Sequence, residues 1–337
     1  MDMPQYKAVL SAFSLGELTA PPTPLSGGLM HRMYRVETAR GVWALKCLNP
    51  AVMRRSGVAD NLRRSERVAR VMAAYVPAVA AVPVRGDPLV FSDGAYYLLY
   101  PWQPGTAVFP SALTPAHCAA LGAIFGRMHA TRLSLPCLPL TPDPPDVIDW
   151  ASLLEAARRE TRPWALRFTA NLPQFVRWHE AAQDALSALS ADLVLSHRDL
   201  DPKNVLWEGC TPHLIDWEAA GPVNPALEFF TALRDWADDG HGGVSPVLAH
   251  AMLTAYRAQF PVSGTPWDTV RAAGRAGPLA WLAYNVRRAC GIEAADDAER
   301  ERGATLVCAT LDALDAYDRV SAQLLRLLEM FDGPFQS

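Results

Sequence analysis

Residues 193–217, LVLSHRDLDPKNVLWEGCTPHLIDW, constrain this chain more than any other stretch. Leu193, Val194 and Leu195 predict a buried strand that feeds a polar loop from His197 to Asn204. Val205, Leu206 and Trp207 predict a short strand, Glu208 to Pro212 carry turn chemistry, and His213 to Trp217 predict a second strand containing Asp216. A hairpin of this kind gathers Asp199, Asn204 and Asp216 at one end. Asn and Asp oxygens suit a hard octahedral ion such as Mg²⁺, which keeps several waters and takes its other ligands from carboxylates and phosphates. A carboxylate left off such an ion can accept a proton from an attacking hydroxyl. The competing reading is a hairpin whose turn polars are only solvated.

A chain of 337 residues has room for two domains, and 50% apolar residues are ample for a core. The net charge of −4 points to neither nucleic acid nor an anionic membrane as partner. The six cysteines are scattered without metal spacing and read as small core residues of a reducing compartment. No basic region followed by an apolar run opens the sequence, and the most apolar window, Val71 to Val84, is short and carries Pro77 and Pro83. A cytoplasmic protein is the expectation.

The first hundred residues read as β-rich. Met33–Val36 and Val42–Lys46 predict a hairpin, Asn61–Tyr75 an amphipathic helix, and Ala81–Phe91 with Ala95–Tyr100 two further strands. Pro101 to Gly105 breaks the pattern and marks the expected domain junction. Helices are predicted beyond it over Thr114–Thr131, Asp149–Arg159, Leu172–Ser190, Ala226–Trp236, Ser245–Phe260 and Trp267–Cys290. A broken helical stretch is predicted over Ala294–Met330, and a proline-rich linker over Leu135–Pro145.

Four residues of the β-rich part draw notice. Only three of the 31 basic residues are Lys, and one of them, Lys46, closes a strand. A compact ammonium against phosphate oxygens accounts for it; an exposed strand-end lysine does too. Glu66 is the only Glu between positions 38 and 154 and lies in the amphipathic helix, where it can pair with Lys46 or simply face water. Gly27 and Gly28 open the first hairpin, either as a turn or as backbone that approaches phosphate.

Together these residues resemble the aminoglycoside phosphotransferase and choline kinase-type enzymes. The resemblance covers residues 20 to about 235 and is most specific at His197-Arg198-Asp199-Leu200-Asp201-Pro202-Lys203-Asn204 and Leu214-Ile215-Asp216-Trp217-Glu218. It implies an α+β, protein-kinase-like two-lobe fold, with a small β-rich nucleotide-binding lobe over 1–103 and a larger, mainly helical lobe over 104–337. It implies ATP and Mg²⁺, with Asp199 as catalytic base, Asn204 and Asp216 as metal ligands, Lys46 on the α- and β-phosphates and Glu66 as its partner. Gly27 and Gly28 match the phosphate loop, and His197 supports the catalytic loop. Aligning Leu98–Trp102 with a kinase hinge turns the Tyr100 C=O and the Trp102 N–H toward adenine, and Pro101 between them needs no N–H.

The sequence departs from that pattern at Arg198, where the family often has Gly, and at Asp201, where it often has His. Only about eight residues separate Asp216 from the next helix, and no Ala-Pro-Glu segment follows, so a protein substrate is not expected. The implied acceptor is a small-molecule hydroxyl: an aminoglycoside-like or other antibiotic, or alternatively an amino alcohol, sugar or homoserine. A non-catalytic nucleotide-binding protein is the reading from another class. Asp201, Asp235, Trp281 and Asn285 are the candidate substrate contacts; core packing explains the aromatic residue equally well.

Overall fold

The computed structural model describes residues 3–25, 31–136, 138–142, 144, 147–262, 264–294 and 296–332. In chain order it begins with α1 (Met3–Ala12), β1 (Thr23–Leu25), β2 (Arg32–Thr38), β3 (Gly41–Cys47), α2 (Pro50–Met53) and α3 (Val58–Met72). Next come β4 (Val90–Ser92), β5 (Ala95–Pro101), β6 (Thr106–Ala107), α4 (Pro115–Ala130), α5 (Trp150–Ala157) and α6 (Pro163–Leu189). β7 (Val194–Ser196), β8 (Val205–Glu208), β9 (Thr211–Leu214) and β10 (Gly221–Val223) follow. The chain then turns helical: α7 (Pro225–Trp236), α8 (Pro246–Arg257), α9 (Trp267–Ala273), α10 (Ala276–Ala289) and α11 (Asp297–Asp332). Two compact units result. The first holds the chain up to Phe109 with Arg127–Pro139 and Leu195–Gly221; the second holds Pro110–Gly126, Leu140–Val194 and the chain from Pro222 onward.

The first unit is built on an antiparallel sheet of order β1-β2-β3-β5-β4. The predicted hairpin forms between β2 and β3, with Met33 opposite Lys46 and Lys46 opposite Leu98 on the other side, so the lysine sits on a central strand. One face of the sheet is covered by α1, whose Tyr6, Val9 and Leu10, with Phe13 in the turn that follows, bury in one cluster with Val36, Leu45 and Leu99. That helix carries its signal openly: positions 6, 9, 10 and 13 are one helical stripe. α3 buries Leu62, Val68, Ala69 and Met72, as an amphipathic helix should, and carries Glu66 into the interior with them. The expected strand over Ala81–Phe91 is largely loop. Val90 and Phe91 pair in β4 and Val84 forms an isolated bridge with Asp87, while Pro83 and Pro88 cannot donate to a ladder. Val79 and Val82 instead donate to the carbonyls of Leu214 and Leu99 at 2.9 and 2.7 Å.

The hairpin of β8 and β9 forms in the expected place, with Val205 opposite Leu214. β6 adds a third strand, Thr106 opposite Trp207. Gly105 permits this approach: its φ is +107°, and a side chain there would run into the Trp207 carbonyl.

The second unit is helical around Trp150, Phe168, Phe175, Leu279, Leu282 and Val307. α6 begins nine residues earlier than the sequence predicts, because Pro173 lies inside the helix and Pro163 opens it, the position that best tolerates proline. The single helix expected over 267–290 is two. They divide at Gly274, where the Tyr317 hydroxyl lies 2.5 Å from where a Cβ would stand. The stretch expected to break, 294–330, is unbroken from Asp297 onward, part of the continuous 36-residue helix α11 that ends at Asp332. Among the described residues, no helix is long and apolar enough to cross a membrane.

Candidate active site

The catalytic loop is held by its own backbone. Ile215 N–H donates to the Asn204 carbonyl at 3.0 Å, which fixes Asn204 one residue from Asp216 in space. Leu214 is clamped from the other side: its N–H donates to Pro77 and its carbonyl accepts from Val79, both at 2.9 Å. The ladder stops there, and Asp216 turns out of the strand in a left-handed conformation, φ +59° and ψ +61°. His197, fully buried, ties the two halves. Its Nδ1 accepts from Asp199 N–H at 3.3 Å, so the proton belongs on Nε2, which lies 2.9 Å from the Ile215 carbonyl. The Trp217 ring packs on the imidazole with centroids 4.5 Å apart.

Asn204 is buried and spends its Nδ2 on the Asp199 carbonyl at 2.6 Å and on Asp199 Oδ2 at 3.0 Å. The amide nitrogen thus faces the base, which leaves the amide oxygen as an acceptor. Lys203 Nζ lies 3.7 Å from Asp199 Oδ2. Burial pushes the Asp199 carboxyl up to about 6, with Asp201 and Asp216 adding to it and Lys203 opposing. Asp201 serves the loop: Oδ1 caps Lys203 N–H at 3.0 Å, and Oδ2 meets Lys203 Nζ at 2.5 Å.

Lys46, almost fully buried, crosses to the hairpin. Its Nζ lies 3.1 Å from Asp216 Oδ1 and 2.5 Å from Glu218 Oε1. Burial works against the ammonium, but the two carboxylates outweigh it and hold the Lys46 pKa above its ordinary value. For Asp216 burial is likewise outweighed by Lys46, and its pKa is held down. Glu66 lies close enough to Lys46 for the ammonium to lower its carboxyl pKa, and its hydrogen bonds go to other groups. Its Oε1 accepts from the Tyr100 hydroxyl at 2.6 Å and its Oε2 from Ala81 N–H at 2.7 Å, deep in the core of the sheet-bearing unit. Burial raises the Glu66 carboxyl, and the two donors oppose that. Glu218 escaped the sequence reading because only the turn after Asp216 brings it back toward β3.

The backbone groups expected to face adenine lie along the β3–β5 ladder. Leu48 N–H donates to the Tyr96 carbonyl at 2.9 Å and Trp102 N–H donates to the Val42 carbonyl at 3.2 Å. Bonded pairs recur at every second residue of an antiparallel ladder, so Tyr100, opposite Ala44, also turns its backbone groups toward β3. The groups on the outer side are those of 97, 99 and 101, as the Leu99 carbonyl's bond from Val82 shows. The Tyr100 C=O and Trp102 N–H are therefore spent inside the sheet, and the Pro101 C=O and Gln103 N–H lie on the open side.

Gly27 and Gly28 lie outside the described residues. His31, three residues beyond Gly28, is buried; Asn49 N–H donates to its Nδ1 at 3.0 Å. Of the substrate candidates in the second unit, Asp235 accepts from Arg234 Nε at 3.2 Å. Trp281 is 40% exposed on α10, with its ring 5.6 Å from that of Tyr284. Asn285 is fully buried, donates to the Trp281 carbonyl at 2.9 Å and accepts from Arg288 at 3.2 Å, which makes it a packing residue of α10.

The site thus presents one neutral amide oxygen and one ionised carboxylate beside a buried lysine. That donor set fits Mg²⁺, which takes few protein ligands and completes its shell with waters and phosphates. The sheet, the looped hairpin and the helical unit define a protein-kinase-like phosphotransferase. Residues 22–262 match the phosphotransferase enzyme family (APH), and the chain belongs to it. It is accordingly an enzyme that phosphorylates small-molecule hydroxyl groups.

Solved structures share the fold over nearly the whole chain. The microcompartment-associated aminopropanol kinase aligns with a TM-score of 0.65 at 16% identity, over 96% of this chain and 99% of its own. Spectinomycin phosphotransferase APH(9)-Ia, solved with ADP and spectinomycin, aligns with 0.64 at 13% identity, over 90% and 94%. Plasmodium vivax ethanolamine kinase gives 0.60 at 11% identity, over 91% and 87%. No curated protein matches the sequence. The left-handed backbone at Arg198, φ +70°, gives a reason for the glycine this family often has there.

Proposed function

We propose that the protein transfers the γ-phosphate of ATP to a hydroxyl of a small molecule, an aminoglycoside-like or other antibiotic, with residues 1–103 binding the nucleotide and 104–337 the acceptor. The observation that carries this is the gathering of Lys46, Asp199, Asn204 and Asp216 within one compact unit. Asn204 and Asp216 would hold Mg²⁺, which supplies charge neutralisation at the phosphate oxygens when bound. Lys46 binds the α- and β-phosphates. Asp199 takes the proton of the attacking hydroxyl at its carboxylate, and His197 and Asn204 fix the loop so that this carboxylate is aimed before substrate arrives. The Pro101 C=O and Gln103 N–H receive the adenine edge.

One observation favours the second reading, a kinase of an amino alcohol or another small metabolite. A polycationic antibiotic calls for carboxylates free to meet it, yet Asp235 is paired with Arg234, Glu293 with Arg287 at 2.8 Å and Asp297 with Arg300 at 3.7 Å. A panel of aminoglycosides, amino alcohols and sugars in an ADP-release assay with ATP and Mg²⁺ decides between them. Turnover with one class, lost in Asp199→Asn, is the expected result. ATP binding with no acceptor-dependent turnover across the panel would instead favour the non-catalytic nucleotide-binding reading.

A further inference from the structure

We propose that Arg288 makes a carboxylate-binding subsite on α10 for the acceptor of the transferred phosphate. The inference rests on the phosphate-transfer reading above and narrows its substrate to hydroxyl compounds that bear a carboxylate. Among the described residues two arginines are buried, Arg275 at 8% exposure and Arg288 at 7%. Buried charges are ordinarily paired. Arg275 follows that rule, with Asp318 on its Nη2. Arg288 does not. Its partners are the Asn285 amide oxygen at 3.2 Å and the Tyr284 ring, whose centroid lies 5.5 Å from its Cζ, and no carboxylate is among them. One amide oxygen and one ring face do not balance a charge taken out of water. Arginines also gather at helix C-termini, and Arg288 lies in the last turn of α10. Its side chain, however, runs back to the residue three positions earlier and meets no terminal carbonyl.

The guanidinium is held in advance and left open on one edge. Asn285, fully buried, donates to the Trp281 carbonyl at 2.9 Å, which turns its oxygen toward Arg288 Nη1. Arg288 Nε and Nη2 make no hydrogen bond to the protein, and neither is sealed from solvent. That edge of the fork is the one that takes both oxygens of a carboxylate. The charge count agrees. Neighbouring Arg287 is already matched by Glu293 at 2.8 Å, so one cation is left over, which suits a monoanion better than a phosphate dianion. Beside it, Tyr284 and Trp281 place their rings 5.6 Å apart, and Trp281 is 40% exposed, a surface for the apolar part of a ligand. Positions 281, 284, 285 and 288 share one face of α10.

The test uses benzoate as probe and benzamide as its neutral match, titrated into the full chain by calorimetry, with ADP and Mg²⁺ titrated into the same samples. Wild type should bind benzoate at least about tenfold tighter than benzamide, the worth of one charge-assisted contact. Arg288→Gln, which can still donate to Asn285 but carries no charge, should erase that preference. If it shows no cooperative melt, Arg288→Lys replaces it; this variant keeps the charge, loses the fork, and should weaken benzoate by about tenfold while leaving benzamide unchanged. Phenyl phosphate should bind no tighter than benzoate. In the ADP-release assay, hydroxy acids should exceed their amides by about tenfold or more in kcat/KM, and the variant should lose that margin. No binding of benzoate, equal binding of benzamide, a preference unchanged in the variant, tighter binding of phenyl phosphate, or turnover confined to neutral or cationic acceptors would overturn the assignment. A folded wild-type protein that does not bind ADP would instead sink the phosphate-transfer reading, and the benzoate comparison would still decide the subsite.

Discussion

Lys46 Nζ lies 3.1 Å from Asp216 Oδ1, across 170 positions of sequence. One residue closes a strand of the sheet and the other leaves the hairpin in a left-handed turn, so neither reaches this place without its own element formed. Asp216→Asn removes the charge that the metal and the lysine both use. Turnover should fall on the order of 10³-fold or more. Breaking a buried ion pair costs about 3–5 kcal/mol when one charge is left alone. Here Glu218 stays on Lys46, so the melting temperature should drop by less than that figure implies. Steady-state kinetics and a thermal melt on the same sample check both halves.

Asp199 ties rate to pH. Burial raises its carboxyl to about 6, and only the ionised form accepts a proton. Activity should be near its plateau at pH 7 and fall about tenfold by pH 5. Stability runs the other way. The folded-state pKa lies above the unfolded value, so folding takes up a proton between them and loses stability as pH rises through that window. Asp199→Asn, which cannot ionise, should melt at or above wild type at pH 7 while losing about 10²–10⁴-fold in turnover. A pH–rate profile with its acid limb near 4 would contradict the assignment.

Much of this centre is legible in the sequence because it is local. His197 through Asp216 lie within one stretch of chain, and the bonds that aim them, Asn204 to Asp199 and Ile215 to Asn204, join residues five and eleven positions apart. What escapes is set by packing. The 81–91 run looks like a strand by its valines, yet its prolines and the demands of Leu214 and Leu99 make it a strap. Pro173 reads as a helix breaker but is absorbed inside α6, and α11 outlasts the polar residues that suggest a break. Which carboxylate a lysine meets depends on turns that local pattern does not encode.

The Glu66–Tyr100 bond is a stability feature with its own signature. Tyr100→Phe keeps the ring and removes the donor at 2.6 Å, leaving a buried carboxylate oxygen unpaired. That should cost about 1–3 kcal/mol in urea unfolding. The lost bond favours the ionised carboxylate, and burial already raises the Glu66 pKa. The penalty should therefore be larger at pH 8 than at pH 5. An equal cost at both would mean that the bond does not discriminate between the charge states.

The hinge gives a prediction that needs no acceptor. Trp102 N–H already donates to Val42 at 3.2 Å, so it should exchange slowly with solvent deuterium in the free protein and change little when ADP is added. Gln103 N–H lies on the outer parity of β5. Its side chain reaches back to the Pro101 carbonyl at only 3.5 Å, too long to hold that acceptor firmly. Adenine should displace this contact by donating to the Pro101 carbonyl and accepting from Gln103 N–H. On adding ADP, Gln103 should slow by an order of magnitude or more in amide exchange while Trp102 stays as it was. The reverse pattern, Trp102 newly protected and Gln103 unchanged, would require the end of β5 to leave β3 on binding, which the ladder from Leu48 to Val42 opposes.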